Sequence, residues 1–169
     1  MSDVRIKTWL YEDTKLVVNE REDDLYHESY WVWPKPKDGR AKVVPMIPVL
    51  VGHLKKLQQG QDCIFVGWAW TVDLKHLYVK TVMDNPILRN ALVQKLKQII
   101  NNQFRIDFLP NDNSFTSIRV FSLILADKIT KKTLRDTIVQ LWLHYATVKF
   151  QFEKQYRWPP GSDDPSKYV

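Results

Sequence analysis

The chain has 169 residues, of which 25 are lysine or arginine and 19 are aspartate or glutamate, so its formal net charge is +6. Hydrophobic residues make up 44% and charged residues 26%, a composition typical of a globular domain that excludes a largely disordered or coiled-coil chain. No apolar run approaches the roughly 18 residues of a membrane span, and no segment has the layout of a secretory signal. The single cysteine, Cys63, cannot form an internal disulfide, which fits a reducing compartment. We therefore expect an intracellular protein.

The first 46 residues are predicted to be rich in β-structure. Apolar and polar residues alternate or cluster in short β-prone segments, and Pro34 and Pro36 end one of them. An acidic loop is predicted at 19–28, and the Asp-Gly step at 38–39 predicts a hairpin turn. The predicted strands lie at 4–11, 16–18, 30–33 and 42–46.

The middle of the chain is predicted to begin with a helix. Apolar residues recur at helical spacing over 48–59, Pro48 suits the first turn, and Gly60 suits the end of the helix. Residues 63–72 alternate as a strand, and 74–83 are predicted to be its antiparallel neighbour. The tryptophans of this segment, Trp68 and Trp70, are expected in the core.

The second half carries stronger signals. Asp84-Asn85-Pro86 predicts a helix start, because a capping side chain is followed by a proline at the first helical position. The apolar stripe of that helix is Leu88, Leu92, Leu96 and Ile99. Strands are predicted at 104–108 and 114–126, joined by a hairpin loop at 110–113. The later strand is apolar on both faces in its second half, which predicts an interior position in the sheet.

The last helix is predicted from a cap at Thr130 to about residue 156, a length of roughly 40 Å. It carries two apolar stripes at i+3/i+4 spacing. The first is Leu134, Ile138, Leu141, Trp142, Tyr145, Val148 and Phe152; the second is Val139, Leu143, Ala146 and Phe150. One small sheet cannot cover both stripes, so Leu143, Ala146 and Phe150 are predicted to mediate self-association.

These elements predict a single α+β domain over residues 1–158. Its sheet is expected to be mostly antiparallel and packed by two to three helices, including the long C-terminal one. A β-rich N-terminal portion (1–46) precedes a helix-sheet core (47–158). Pro159, Pro160 and Gly161 end the ordered chain in this prediction, which makes 159–169 a flexible tail.

Charge is unevenly distributed along the chain. Residues 1–28 carry eight acids and four bases, residues 163–169 carry two acids and one base, and the residues between them carry 20 bases and nine acids, net +11. A strongly basic domain attracts nucleic acid, anionic lipid surfaces or acidic proteins, although the same charge also serves a solvated surface. The predicted anion-binding or nucleic-acid-binding residues are Lys35, Lys37, Arg40, Lys42, Arg89, Lys95, Lys97, Arg105, Lys131, Lys132 and Arg135.

Aromatic residues accompany this charge. Trp31 and Trp33 share one strand face beside a Pro/Lys hairpin and are predicted to be exposed contacts, because rings stack on bases while Lys and Arg bind phosphates. An anionic membrane or a protein interface suits the same composition. Lysines and an arginine crowd the start of the last helix and oppose its dipole, which predicts an acidic partner there, such as the 19–28 loop in cis or from another subunit.

No sequence pattern predicts an enzyme. The chain has no glycine-rich phosphate loop, no nucleophile elbow and no histidine pair at metal-binding spacing, so no cofactor or metal is expected. Cys63, His76 and Asp73 form the nearest approach to a nucleophilic set, on two strands predicted to pair. A hydrolase using Cys63 and His76 is a remote alternative, because buried cysteine is common in cores. His144, beside the apolar stripe, is expected in the core or an interface.

The order of elements carries a resemblance. From residue 48 on, helix, two strands, helix, two strands and long helix resemble the small bacterial α+β fold of type III secretion chaperones and YbjN-type proteins. The basic, tryptophan-rich composition is also similar in class to small viral matrix proteins. The first resemblance implies a chaperone or adaptor, and the second implies an assembly protein.

Two functions are therefore expected. The first is a non-enzymatic assembly protein, in a matrix-like or nucleic-acid-packaging role, which self-associates through its last helix. In that role a basic-aromatic surface binds nucleic acid or an anionic membrane. The alternative is a small chaperone or adaptor that holds a partner protein in a groove. The salt dependence of binding distinguishes the two functions, because binding to a polyanion weakens steeply as salt increases, whereas binding in an apolar groove does not.

Overall fold

The computed structural model describes residues 5–36, 47–100 and 102–157. These residues form six strands and four helices, one helix more than the sequence predicted. In chain order the elements are α1 (Ile6–Glu12), β1 (Leu16–Arg21), β2 (Tyr26–Pro34), β3 (Val49–Leu54), β4 (Cys63–Thr71), α2 (Leu77–Asp84), α3 (Pro86–Ile99), β5 (Arg105–Asn111), β6 (Ser114–Leu125) and α4 (Lys131–Arg157).

The strands form one antiparallel sheet in the order β1-β2-β3-β4-β6-β5. Register is fixed by pairs such as Leu16 with Pro34, Tyr30 with Val51, and Val51 with Val66. β1 and β5 are the edge strands, and β6 lies inside the sheet, as its apolar second half predicted. The single α+β domain with a β-rich N-terminal portion and a long C-terminal helix is confirmed.

Within this domain the chain clusters into two compact units. The first unit comprises residues 1–68 and 121–143, and the second comprises 69–120 and 144–169. β4, β6 and α4 each contribute to both units.

The core of the first unit follows from strand alternation. Tyr30 and Val32 of β2 are buried opposite Val51 and Val49 of β3, on the same sheet face. On α4, Leu134, Ile138 and Leu141 recur at helical spacing and are buried. A buried hydrogen bond joins sheet and helix in this unit, from Trp68 Nε1–H to the Leu141 carbonyl oxygen at 2.8 Å.

The second unit contains the best-predicted helix. The Asn85 side chain accepts hydrogen bonds from the backbone N–H groups of Ile87 and Leu88 at 3.0 and 3.3 Å, and a proline occupies the first helical position of α3. The cap satisfies amide groups that would otherwise lack partners. Of the predicted stripe, Leu88, Leu92 and Leu96 are buried and Ile99 is half-buried.

The strand predicted over 4–11 is wrong. Residues 6–12 form α1, and its two buried side chains, Ile6 and Leu10, are four residues apart on one helix face. Alternation of apolar and polar residues was a misleading signal here, because only this i, i+4 pair packs into the core.

The helix predicted over 48–59 is also wrong. β3 occupies 49–54 between β2 and β4, and its first four residues are buried. A strand covered on both faces is apolar throughout, and a short apolar run of that kind matches a buried helix equally well. Gly60, with φ of +77°, belongs to a tight loop closed by hydrogen bonds between Gln58 and Gln61.

The strand predicted over 74–83 is a helix, α2, whose buried residues Val79 and Val82 are three apart. The neighbours of β4 are β3 and β6. From residue 48 the observed order is two strands, two helices, two strands and a long helix. The opening helix of the chaperone resemblance is therefore missing at 48–59. The predicted hairpin turn at 38–39, the strand at 42–46 and the tail at 159–169 lie outside the described residues.

Candidate functional site

Many of the predicted anion-binding residues already have partners within the chain. In the first unit, Lys131 Nζ lies 3.1 Å from a Glu12 carboxylate oxygen, and Arg135 Nε lies 3.5 Å from Asp13 Oδ2. Lys132 is 87% exposed, and its Nζ lies 3.9 Å from Asp136 Oδ2 on the same helix. Glu12 and Asp13 at the end of α1 thus supply acidic partners in cis, where the 19–28 loop was expected.

In the second unit, Lys97 is paired with Asp112, and Arg89 Nη1–H donates to the Met83 carbonyl oxygen at 2.9 Å. Lys95 and Arg105 are exposed. Lys37, Arg40 and Lys42 lie outside the described residues, and Lys35 is exposed at the end of β2. Of the eleven predicted bases, eight are described, four in the first unit and four in the second.

Two of them, Lys35 and Arg135, instead line a groove in the first unit. The groove has a volume of about 420 Å³. Its lining residues, called the groove below, are Thr14, Lys15, Leu16, Pro34, Lys35, Pro36, Arg135, Ile138, Val139 and Trp142.

The sheet side of the groove is built by the ends of β1 and β2. Leu16 pairs with Pro34, and the Lys35 backbone N–H donates to the Lys15 carbonyl oxygen at 2.8 Å. This bond extends the ladder by one step and sets Lys15 and Lys35 side by side. Both lysine side chains are exposed, and Leu16 and Pro34 are half-buried.

The helix side is built by one face of α4. Arg135, Ile138, Val139 and Trp142 follow the spacing i, i+3, i+4, i+7, which aligns side chains along a helix. Ile138 reaches the core, while Val139 is 44% exposed. Trp142 is held in place because its Nε1–H donates to the Ile47 carbonyl oxygen at 3.1 Å.

Asp13 is the acid associated with this groove. Its side chain is only 10% exposed; it accepts a hydrogen bond from the Lys15 backbone N–H at 2.9 Å and pairs with Arg135. Because Arg135 neutralises the Asp13 carboxylate, the ammonium groups of Lys15 and Lys35 leave an excess of positive charge at the groove. The lining therefore offers apolar surface beside ammonium groups, which suits a ligand with apolar side chains next to carboxylates.

The sequence assigned Lys35 and Arg135 to two separate basic clusters and did not assign Lys15 to a site. It placed Ile138 and Trp142 in the buried stripe and Val139 in the second stripe. No local pattern could have predicted the groove, because it requires the β1–β2 ladder and α4 to be adjacent. Lys15, directly before the strand predicted at 16–18, is the basic residue that a sequence analysis could have added to the candidate set.

Trp31 and Trp33 lie on the β2 face opposite to the buried Tyr30 and Val32, and both are half-buried rather than exposed. The Arg21 guanidinium lies over the Trp31 ring, 4.9 Å from its centroid, a cation–π distance.

The two stripes of α4 are distinguished by burial. The first contains the buried residues Leu134, Ile138, Leu141, Tyr145, Val148 and Phe152. In the second stripe Leu143 is 63% and Phe150 is 58% exposed, and Val139 and Ala146 are also exposed. The sequence separated these two faces correctly.

The remote catalytic set is not supported by its environment. Cys63 is buried, and burial, with the nearby Asp62 charge, raises the pKa of its thiol, whereas a nucleophilic cysteine needs a lowered pKa. His76 precedes α2 and lies 3.5 Å from Asp73. The strand pairing that was expected to join His76 to Cys63 is not formed, because 77–84 is helical. Burial lowers the pKa of His144, which packs edge-on to Phe104 at 4.9 Å.

Among the described residues, no group of three or more His, Cys, Asp or Glu side chains is placed to hold a metal ion. None of the described helices combines the length and the hydropathy required to cross a bilayer.

The chain matches no protein-family model and no curated protein. It is similar in fold to a solved structure described as an uncharacterized protein from Methanothermobacter thermautotrophicus, with a TM-score of 0.67 and 20% sequence identity. The match covers 92% of this chain and 99% of the other, so both share the fold over nearly their full lengths.

Proposed function

We propose that this protein is a non-enzymatic adaptor whose groove holds a segment of a partner protein with apolar side chains next to carboxylates. The observation that carries the proposal is the lining itself, where Leu16, Ile138 and Trp142 lie beside Lys15 and Lys35. Among the expected functions, this is the one for which residues from separate elements converge on a concave surface.

The volume of the groove suits a few side chains of a larger partner rather than a whole small molecule. A volume of about 420 Å³ is near the lower end of the range for pockets that enclose drug-sized ligands. Val139 and Lys35 are exposed, so the groove is accessible from solvent. An extended or helical segment can therefore place two or three side chains in it and continue beyond it at both ends.

The test is peptide selection on the immobilised full chain, followed by fluorescence anisotropy with the enriched peptides. We expect enriched sequences to combine carboxylates with aliphatic or aromatic residues. Val139→Asp and Lys35→Glu should each weaken binding at least tenfold, because one places a charge in the apolar lining and the other reverses a groove charge. Lys132→Glu is the matched control, since it makes the same charge reversal on an exposed residue outside the groove.

Circular dichroism establishes that each variant is folded. Binding that survives both Val139→Asp and Lys35→Glu would refute the groove as the binding site. Equal loss of binding in Lys132→Glu would show a general charge effect and would also refute it.

A second candidate is the assembly function, which the exposed side of α4 favours. Leu143 and Phe150 are seven residues apart and largely exposed, as in a helix face that packs on another copy. Leu143→Lys should lower the sedimentation coefficient of the wild-type assembly to that of a monomer. Gln98→Lys, at an exposed position of α3, should not. A wild-type chain that is monomeric at all concentrations would refute this function.

The polyanion part of that function rests on the Arg21–Trp31 pair. Its probes are a fluorescent oligothymidylate and vesicles of phosphatidylserine, each titrated at low and moderate salt. Binding that falls steeply with salt and is lost in Trp31→Ala would support it. Binding to neither probe would refute it.

A further inference from the structure

We propose that the groove is occupied by the C-terminal segment, residues 158–169, of a second copy of this chain. This inference rests on the proposed function of the groove and names a partner for it. The segment follows the end of α4 at Arg157 and lies outside the described residues.

The sequence of the segment has the chemistry that the groove suits. It reads WPPGSDDPSKYV, so Asp163 and Asp164 are adjacent and apolar aromatic residues, Trp158 and Tyr168, stand near the two ends. These acids match the positive charge of Lys15 and Lys35. Three prolines among twelve residues restrict the free conformations of the segment, which reduces the entropy lost when it is bound.

The length of α4 favours a second copy over the segment's own chain. Trp142, the groove residue of α4 nearest to Arg157, stands 15 residues before it, so the two are about 22 Å apart along α4 at a rise of about 1.5 Å per residue. From Arg157 to Asp164 the fully extended backbone spans at most about 25 Å. The chain must also reverse its direction to run back along its own helix. A chain that turns back cannot use its full extended length, so Asp163 and Asp164 of the same copy fall short even of the Trp142 end of the groove.

Each copy has one groove and one C-terminal segment. Reciprocal exchange between two copies therefore satisfies both grooves and closes a dimer with two-fold symmetry. The same arrangement competes with any foreign segment for the groove. Association would thus control access to the proposed adaptor site.

The experiment is sedimentation velocity on the full chain with paired charge reversals. Asp163→Lys with Asp164→Lys alters the segment, and Lys15→Glu with Lys35→Glu alters the groove. We expect each double variant alone to associate at least tenfold more weakly than the wild type. An equimolar mixture of the two should recover association, because lysines of one copy then meet glutamates of the other.

The matched control is Glu22→Lys with Asp24→Lys, which makes the same charge change at two exposed acids of the connection between β1 and β2; the loop predicted over 19–28 is shorter than expected, because both strands extend into it. This control should associate like the wild type. The proposal would be overturned if the Asp163/Asp164 variant associated as tightly as the wild type, if the control lost association equally, or if the mixture failed to recover it.

Failure of this inference is distinguishable from failure of the adaptor function. Peptide selection repeated on the full-length Asp163→Lys/Asp164→Lys variant tests the groove without the native acidic segment. If this variant enriches peptides whose binding depends on Lys35, the adaptor function is supported, even if the variant itself associates as tightly as the wild type. Their absence, together with segment-dependent association, would assign the groove to self-association alone.

Discussion

Two tryptophans of the first unit, one buried and one half-buried, donate hydrogen bonds to backbone carbonyl oxygens. Their replacement by phenylalanine should therefore lower the free energy of unfolding by different amounts. Trp68 is 2% exposed and donates to Leu141 at 2.8 Å, whereas the half-buried Trp142 donates to Ile47 at 3.1 Å. Trp68→Phe removes the donor from a dry core, at about 1–3 kcal/mol, and leaves part of the indole volume unfilled, at about 1–2 kcal/mol. We expect a total of about 2–5 kcal/mol.

For Trp142→Phe the cost should be about 0.5–1.5 kcal/mol, because water can replace the lost donor at a partly exposed position. Urea unfolding followed by far-UV circular dichroism measures both variants without relying on tryptophan fluorescence. The dependence of unfolding free energy on urea must stay unchanged for the comparison to hold. If Trp142→Phe were as destabilising as Trp68→Phe, or if Trp68→Phe cost under about 1 kcal/mol, burial would not be what determines these costs.

Three further predictions concern other positions. Gly52→Ala should lower the free energy of unfolding in urea by about 1–3 kcal/mol, because an ideal Cβ would lie 2.3 Å from the Tyr26 ring. The cost should shrink in a Tyr26→Ala background. If the effects of the two substitutions on unfolding free energy simply added, the explanation would be contradicted. Because burial lowers the pKa of His144, its contribution to stability is present above the ordinary histidine value and is lost as pH falls through the lowered one. The free energy of unfolding should thus fall as the pH is lowered from about 7.5 to about 5, and it should fall less in the His144→Phe variant. If the variant showed the same dependence of unfolding free energy on pH as the wild type, His144 would be excluded as the cause. Asn85→Ala should cost about 1 kcal/mol, and Asn85→Ser should recover most of it, as measured by thermal unfolding.

The elements that the sequence predicted correctly are those with redundant signals. α3 has a capping asparagine, a proline at its first position and buried leucines at a spacing of four residues, and all three signals point to the same helix. α4 is long enough for seven stripe positions to agree. β6 is a twelve-residue strand whose length and two-sided apolar half both indicate an interior strand. Agreement among independent local signals is what made these segments predictable.

The elements predicted wrongly are short. α1 has seven residues, α2 has eight and β3 has six, so each shows only one or two turns or pleats of its pattern. At that length a helical and a strand pattern can match the same residues, and tertiary burial decides between them. α2 has no side-chain cap at His76, so it also lacked the start signal that made α3 recognisable.

The ion pairs of the first unit show that part of the positive charge is neutralised within the chain. Acids near the C-terminal end of α1 oppose the dipole of that helix, and bases in the first turns of α4 oppose the dipole of theirs. Glu12 with Lys131 and Asp13 with Arg135 join these two unfavourable ends, so each helix supplies the charge that the other needs. Because Asp13 engages Arg135, the positive charge that remains at the groove comes mainly from Lys15 and Lys35, which belong to the ladder of β1 and β2. The charge available to a partner is therefore set by the sheet side of the groove, whereas apolar contact comes from both sides, from Leu16 and Pro34 as well as from α4.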